Sequence, residues 1–177
     1  MSWRPGDHRP DAASMLRVDQ AGEYGATRIY AGQLAVLRRN CPEAKLIARM
    51  AAQEERHLKR FNDLVAKRRV RPTALQPLWN VAGFALGAAT ALMSEKAALA
   101  CTDAVETEID RHYASQLTAL GDDDPELSAD IAEFQADELE HRDTAREAGA
   151  AQAVGYPLLT AAIRAGCRVA ITLSKRI

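Results

Sequence analysis

Glu23, Glu54 and His57, and then Glu106, Glu138 and His141, form one arrangement twice: a lone glutamate followed some thirty residues later by Glu-x-x-His. The lone and paired glutamates stand 31 residues apart in the first copy and 32 in the second. On a helix, residues three apart share a face, so Glu54 with His57, and Glu138 with His141, can reach the same ion. Four carboxylates and two imidazoles, half from each copy, are the ligand set of a dinuclear iron or manganese centre inside a four-helix bundle. Oxygen and imidazole donors without a thiolate suit those metals better than copper(I) or structural zinc. Four carboxylates also balance two divalent cations, so such a centre tolerates burial. In that plan Glu54 and Glu138 bridge the ions, Glu23 and His57 complete one, and Glu106 and His141 complete the other.

A single Glu-x-x-His carries little weight, because twelve glutamates and four histidines produce about 0.3 such pairs by chance in this length. Two copies at nearly the same offset, on separate predicted helices, are a different matter. Glu55 and Glu140 lack the three-residue offset to a histidine and are expected to face solvent. His112 has Ile109 three residues before it and His8 lies in the N-terminal arm, so both are read as surface residues. Asp19, one turn before Glu23, and Tyr113, two turns after Glu106, are placed to orient ligands, the alternative for each being an ordinary interior or capping role.

The elements that must position these side chains are helices throughout. Alanine is abundant, aromatic residues make up 5%, and no alternating strand pattern competes. After a polar arm over 1–13, Ser14 can cap a helix to about residue 39. A second helix over about 43–67 follows the turn at Asn40-Cys41-Pro42 and ends in Lys67-Arg68-Arg69. A third runs over about 95–120 and stops at Gly121, where Asp122-Asp123-Asp124 is an acidic turn without EF-hand spacing. Pro125 starts a fourth to about 148, with Gly149 as terminator, and a last helix covers about 157–175. The expected architecture is one all-α four-helix bundle over 14–177, with pseudo-repeats at about 14–70 and 95–149.

Between the repeats, 72–94 carries no charged residue and concentrates Leu75, Leu78, Trp79, Val81, Phe84, Leu86, Leu92 and Met93. Three readings stay open: a membrane-spanning helix, a crossover buried on the bundle, or a segment at a membrane interface with Trp79 near the headgroups. Pro77, Asn80, Gly83 and Gly87 weaken the first, and Arg68, Arg69 and Arg71 alongside favour the third. A formal charge of −1 gives no drive towards nucleic acid. Cys41, Cys101 and Cys167 form no Cys-x-x-Cys pair and read as small buried hydrophobes in a reducing compartment. The arm lacks the apolar core of a secretion signal and carries acids and prolines a mitochondrial presequence avoids. A bacterial cytoplasmic chain, or an already mature organellar form, is the expectation.

Arg17-Val18-Asp19-Gln20-Ala21-Gly22-Glu23-Tyr24-Gly25-Ala26 and Ile29-Tyr30-Ala31-Gly32-Gln33 resemble the opening helix of the demethoxyubiquinone hydroxylases. The resemblance continues through Glu54-Glu55-Arg56-His57-Leu58-Lys59-Arg60-Phe61-Asn62, Ala100-Cys101-Thr102 to Glu106, Asp137-Glu138-Leu139-Glu140-His141, and Gly166-Cys167-Arg168-Val169-Ala170-Ile171. It covers about 16–177, and all six ligand positions carry the expected residue type. The resemblance implies a ferritin-like di-iron monooxygenase of ubiquinone biosynthesis that hydroxylates the demethoxyquinone ring. Two iron ions and O2 would do the chemistry, with electrons from NADH passing through the quinone itself rather than through a reductase subunit. No Gly-x-Gly-x-x-Gly marks a nicotinamide site. The resemblance also implies a peripheral membrane protein, on the cytoplasmic face of a bacterial inner membrane or the matrix face of the mitochondrial one. Its partners would be a polyprenylated quinone, the membrane surface and other ubiquinone-biosynthesis proteins, with the prenyl tail entering near Trp79 and Phe84. The rival functions are an iron-storage or peroxide-scavenging bundle and a non-catalytic quinone-binding scaffold.

Overall fold

The computed structural model describes residues 11–177. Six helices follow one another: α1 (Ala12–Val36), α2 (Pro42–Lys67), α3 (Gln76–Met93), α4 (Glu95–Leu120), α5 (Pro125–Glu147) and α6 (Tyr156–Ser174), with a 3-10 turn at Ala150–Gln152 before α6. No strand occurs among the described residues, and the chain is an all-α bundle. Residues 1–10 of the expected arm, His8 among them, lie outside the described residues.

Helix boundaries have local causes. The Asp11 carboxylate accepts from the Ser14 N–H at 3.0 Å, so α1 begins three residues earlier than a Ser14 cap would allow. It also ends earlier than expected, because Leu37 is extended. Ser94 caps α4 through the Ala97 N–H at 3.0 Å, and Asp124 caps α5 through the Leu127 N–H at 3.1 Å. Pro42 and Pro125 open α2 and α5, where a missing N–H costs nothing. Ala148 closes α5, and Gly149 supplies the positive φ of 98° that turns the chain away.

Helix α1 packs on α2, α2 on α5, α5 on α4, and α4 on α1, closing a four-helix cycle. Two apolar clusters fill its ends. One gathers Tyr30, Ile47, Met50, Leu99 and Ala145; the other gathers Leu16, Phe61, Leu64, Leu127, Ile131 and Phe134. Helices α3 and α6 lie on the flank made by α1 and α4. The basic end of α2 is taken up by α5: Arg60 lies 2.7 Å from Asp130, Lys67 lies 2.7 Å from Glu126, and Arg68 pairs with Asp124. Arg68 is therefore not free to flank the apolar stretch as the sequence suggested, and Asp124 is a cap and ion-pair partner.

The uncharged 72–94 stretch becomes α3, which packs on the bundle while leaving Leu78, Val81, Phe84, Leu92 and Met93 exposed. Among the described residues, no helix is long and apolar enough to cross a membrane. Its contact with α1 is backbone against backbone. A Cβ on Gly87 would sit 1.9 Å from the Ile29 carbonyl oxygen, and one on Gly32 would sit 2.1 Å from that of Phe84. A side chain at either place must prise the helices apart. Gly87→Ala is expected to cost about 3 kcal/mol, a fall in Tm of roughly 6–12 °C, whereas Gly25→Ala, whose Cβ meets nothing within 4 Å, leaves Tm unchanged or raises it. Thermal melts followed by circular dichroism check this; equal melting of the two variants would refute the close contact.

Candidate metal centre

The two ligand patterns meet halfway along the four-helix cycle, between the apolar clusters. α1 brings Glu23, α2 brings Glu54 and His57, α4 brings Glu106, and α5 brings Glu138 and His141, all six buried. Ligand atoms of Glu23, Glu54, His57 and Glu138 lie within 4.8 Å of one another, and so do those of Glu54, Glu106, Glu138 and His141. The two groups overlap at Glu54 and Glu138, the paired glutamates of the two halves.

The donor atoms of these side chains face inward. Both oxygens of Glu54 and of Glu138, Glu23 Oε2, Glu106 Oε2, His57 Nδ1 and His141 Nδ1 are buried without a hydrogen-bond partner. His57 Nδ1 stands 3.3 Å from Glu138 Oε1 and 3.6 Å from Glu23 Oε2, and His141 Nδ1 stands 3.1 Å from Glu54 Oε1, near but not aligned as hydrogen bonds. Buried polar groups are ordinarily paired, and one unpaired group costs on the order of 1–3 kcal/mol. So many at one point fit a pair of cations, whose charge would answer every one of them.

Outward contacts hold these side chains and cross between halves. Tyr113, on α4, donates its hydroxyl to Glu23 Oε1, and Tyr30, on α1, donates to Glu106 Oε1 at 2.6 Å. Each tyrosine stands seven residues after the lone glutamate of its own helix and binds that of the other. Tyr30 was missed as a site residue; the Glu-x6-Tyr spacing shared by Glu23–Tyr30 and Glu106–Tyr113 was the signal for it. The histidines behave alike: His57 Nε2 lies 2.9 Å from Asp137 Oδ2, and His141 Nε2 lies 3.1 Å from Gln53 Oε1. Nδ1 is thereby the free atom of each ring.

Other expectations come out unevenly. Glu55 and Glu140 are exposed. His112 is no surface residue: its Nε2 stands 3.3 Å from buried Asp19, and Gln116 Nε2 donates to the same Asp19 oxygen at 2.7 Å. Asp19 is thus occupied one turn away from Glu23. Trp79 lines an apolar cavity of about 550 Å³ between α1, α3, α4 and α6, its Nε1 donating to Ser174 Oγ at 3.1 Å. Phe84 does not line it and lies outside, with the Arg28 guanidinium 5.2 Å from its ring. Gly22 and Val105, chain neighbours of Glu23 and Glu106, also line this cavity.

Burial, with the Glu138 carboxylate adding to it, pushes Glu54 and Glu106 well above the usual carboxylate range. Burial lifts Glu138 to about 7, with His57 pulling it back. Burial disfavours the His57 imidazolium, but Glu138 and Glu23 outweigh it and raise the ring to about 10. Burial lowers His141. Both tyrosines rise well above 10, through burial and then the carboxylate each faces, so their hydroxyls stay protonated donors.

An all-α bundle with two overlapping carboxylate–histidine groups at mid-height, beside an apolar cavity, is the class of molecule that fold and site define. The profile of the family described as "Ubiquinone biosynthesis protein COQ7" matches residues 10–174, and the chain belongs to that family. It is 56% identical to the 3-demethoxyubiquinol 3-hydroxylase of Rhodospirillum rubrum, over 98% of this chain and 82% of the relative. It is 52% identical to the mitochondrial NADPH-dependent 3-demethoxyubiquinone 3-hydroxylase of Homo sapiens, over 92% and 76%. The mitochondrial 5-demethoxyubiquinone hydroxylase of Saccharomyces cerevisiae is 45% identical, over 92% and 77%. The family is one of enzymes.

The metal-free protein carries a pH signature. Glu54, Glu106 and Glu138 hold protons in the fold that the unfolded chain releases near pH ~4.3, so the folded state binds more protons and stability falls as pH rises, for Glu138 through about 7. His57 has the same sign, its contribution present below ~6.5 and lost as pH rises towards about 10. Melting of metal-free protein should therefore shift to lower temperature between about pH 5 and pH 8. A Tm that holds or climbs across that window would contradict the shifted carboxyls.

Proposed function

We propose that this chain is a demethoxyubiquinone hydroxylase of ubiquinone biosynthesis that works through a dinuclear iron centre. The observation that carries the reading is the pair of overlapping carboxylate–histidine groups, with Glu54 and Glu138 common to both, in a member of this family. Glu54 and Glu138 would bridge the ions, Glu23 and His57 would complete one, and Glu106 and His141 the other, in a ferritin-like ligand plan. The iron pair, when bound, supplies reductive activation of O2. The net change at the ring is C–H to C–OH. The second oxygen atom leaves as water, with two electrons and one proton coming from a reduced nicotinamide nucleotide and the second proton from solvent. NADH is the donor that the family resemblance implies, NADPH is the one named for the mammalian relatives, and assays with each decide between them.

The chain's own residues do the rest. Tyr113 and Tyr30 hold Glu23 and Glu106 by one oxygen each, leaving the second oxygen of each carboxylate for a metal. The apolar cavity takes the quinone, its ring end beside Gly22 and Val105 and its prenyl tail under α3 and α6 towards Trp79. An apolar lining excludes water from the reacting end, which limits wasteful side reactions. The exposed apolar residues of α3, with Leu158, Val169 and Leu173 of α6, form the side presented to a membrane surface from which a polyprenylated substrate enters.

Protein purified without oxygen and loaded with iron should bind two ions per chain and, with demethoxyquinol and O2, release the hydroxylated ring. Glu138→Ala should lower that rate at least about 100-fold. Iron taken up well beyond two ions per chain would mark a storage protein, and two ions without product would remove the enzymatic assignment. Flotation with anionic liposomes tests the membrane side separately. Val81→Glu and Leu92→Glu, at side chains 67% and 75% exposed, should float at least several-fold less than the unaltered chain. Equal flotation would place the contact elsewhere.

A further inference from the structure

The two halves present equivalent partners to their histidines, and the partners differ in charge. The residue before each paired glutamate, Gln53 before Glu54 and Asp137 before Glu138, receives the Nε2 of the opposite half's histidine. His57 thus meets a carboxylate at 2.9 Å, and His141 meets an uncharged amide at 3.1 Å. Much else in the two sets matches: one lone glutamate with a tyrosine on it, one histidine offering Nδ1, two shared glutamates. A second difference points the same way. Phe134, four residues before Glu138, stacks on the His57 ring at 4.1 Å, while Met50 occupies the corresponding place before Glu54.

An imidazole that donates its outer N–H to a carboxylate is a more basic and more firmly oriented ligand than one that donates to an amide. Asp137 is 24% exposed, and Arg56 reaches its Oδ2 only at 3.6 Å from a largely solvated position, so its charge is turned chiefly on the ring. We propose that the two metal positions are inequivalent: the position of Glu23 and His57 binds its ion more tightly than that of Glu106 and His141, and Asp137 against Gln53 sets the difference. Asp137 and Gln53 are positioning residues, acting on the metals through the histidines. The inference rests on the dinuclear reading above.

The test is anaerobic titration of the metal-free chain with Fe(II), followed by calorimetry and by Mössbauer spectra of the loaded protein. Unaltered protein should fill in two steps at least about 10-fold apart in affinity and show two distinct iron environments. Asp137→Asn keeps an acceptor of the same size without the charge, and should weaken the tighter step about 10-fold or more while sparing the other. Gln53→Glu should strengthen the weaker step and bring the two environments together. If Asp137→Asn does not fold, Gln53→Glu decides alone, a narrowed gap supporting the inference and an unchanged gap overturning it. Two equal steps in the unaltered chain, or a gap that neither variant alters, overturns it as well. Failure to take up two ions would bring down the dinuclear reading and this inference with it, whereas two ions with variant-insensitive steps brings down this inference alone.

Discussion

Four carboxylates buried at one point dominate the energetics of this molecule. Like charges that close in a dry interior repel one another strongly, and burial alone already disfavours each ionised form. Burial raises Glu54, Glu106 and Glu138 above the usual carboxylate range, and Glu138 and Glu23 outweigh burial to raise His57. That is an expensive core, and the rest of the bundle is arranged to carry it. α1, α2, α4 and α5 run 25, 26, 26 and 23 residues, long enough for the site to lie mid-helix with an apolar cluster on either side. Those clusters supply burial that a shorter bundle centred on the same ligands would lack.

The bracing of the site is reciprocal between halves. Tyr30 of the first half holds Glu106 of the second, and Tyr113 of the second holds Glu23 of the first. His57 turns outward to Asp137, and His141 to Gln53. Neither half can orient its own ligands, although each carries a full motif. Single-point holding of this kind fixes a carboxylate's direction while leaving its other oxygen available, which a metal centre requires of its surroundings. It also fits the Glu-x6-Tyr spacing that the two copies share: the tyrosine of one arrives at the height of the other's glutamate.

The repeated Glu and Glu-x-x-His spacing picked out all six side chains that the structure brings together, because three-residue offsets on a helix translate directly into a shared face. Helix limits followed from Pro42, Gly121 and Pro125, whose chemistry is local. What stayed hidden depends on packing between helices. His112 carries no mark in the sequence to say that it meets Asp19 across the α1–α4 contact. The rotation of α3, which turns Trp79 to the cavity and Phe84 away, is set by Gly32 and Gly87 meeting backbone to backbone, and apolar content alone is blind to it. Tyr30 lay within reach, since its spacing from Glu23 repeats at Tyr113, but the partner of each hydroxyl becomes visible only once the halves cross.

The distribution of ligands over the cycle gives the site two unlike sides. The lone glutamates come from α1 and α4, the helices that α3 and α6 cover, and the histidines come from α2 and α5. The apolar cavity therefore approaches the glutamate side, through Gly22 and Val105. The opposite side carries the outward imidazole nitrogens and their polar partners Asp137 and Gln53, both partly open to solvent. On the dinuclear reading, a greasy substrate and exchangeable protons would reach the metals from different directions. On that reading a quinone ring entering beside α1 and α4 would meet carboxylates each held by one tyrosine, on the side away from the histidines' polar partners. Tail, ring and metals would then lie along one apolar path, and Asp137, whose charge is proposed to tune the metals, would stay behind them, where the substrate does not have to displace it.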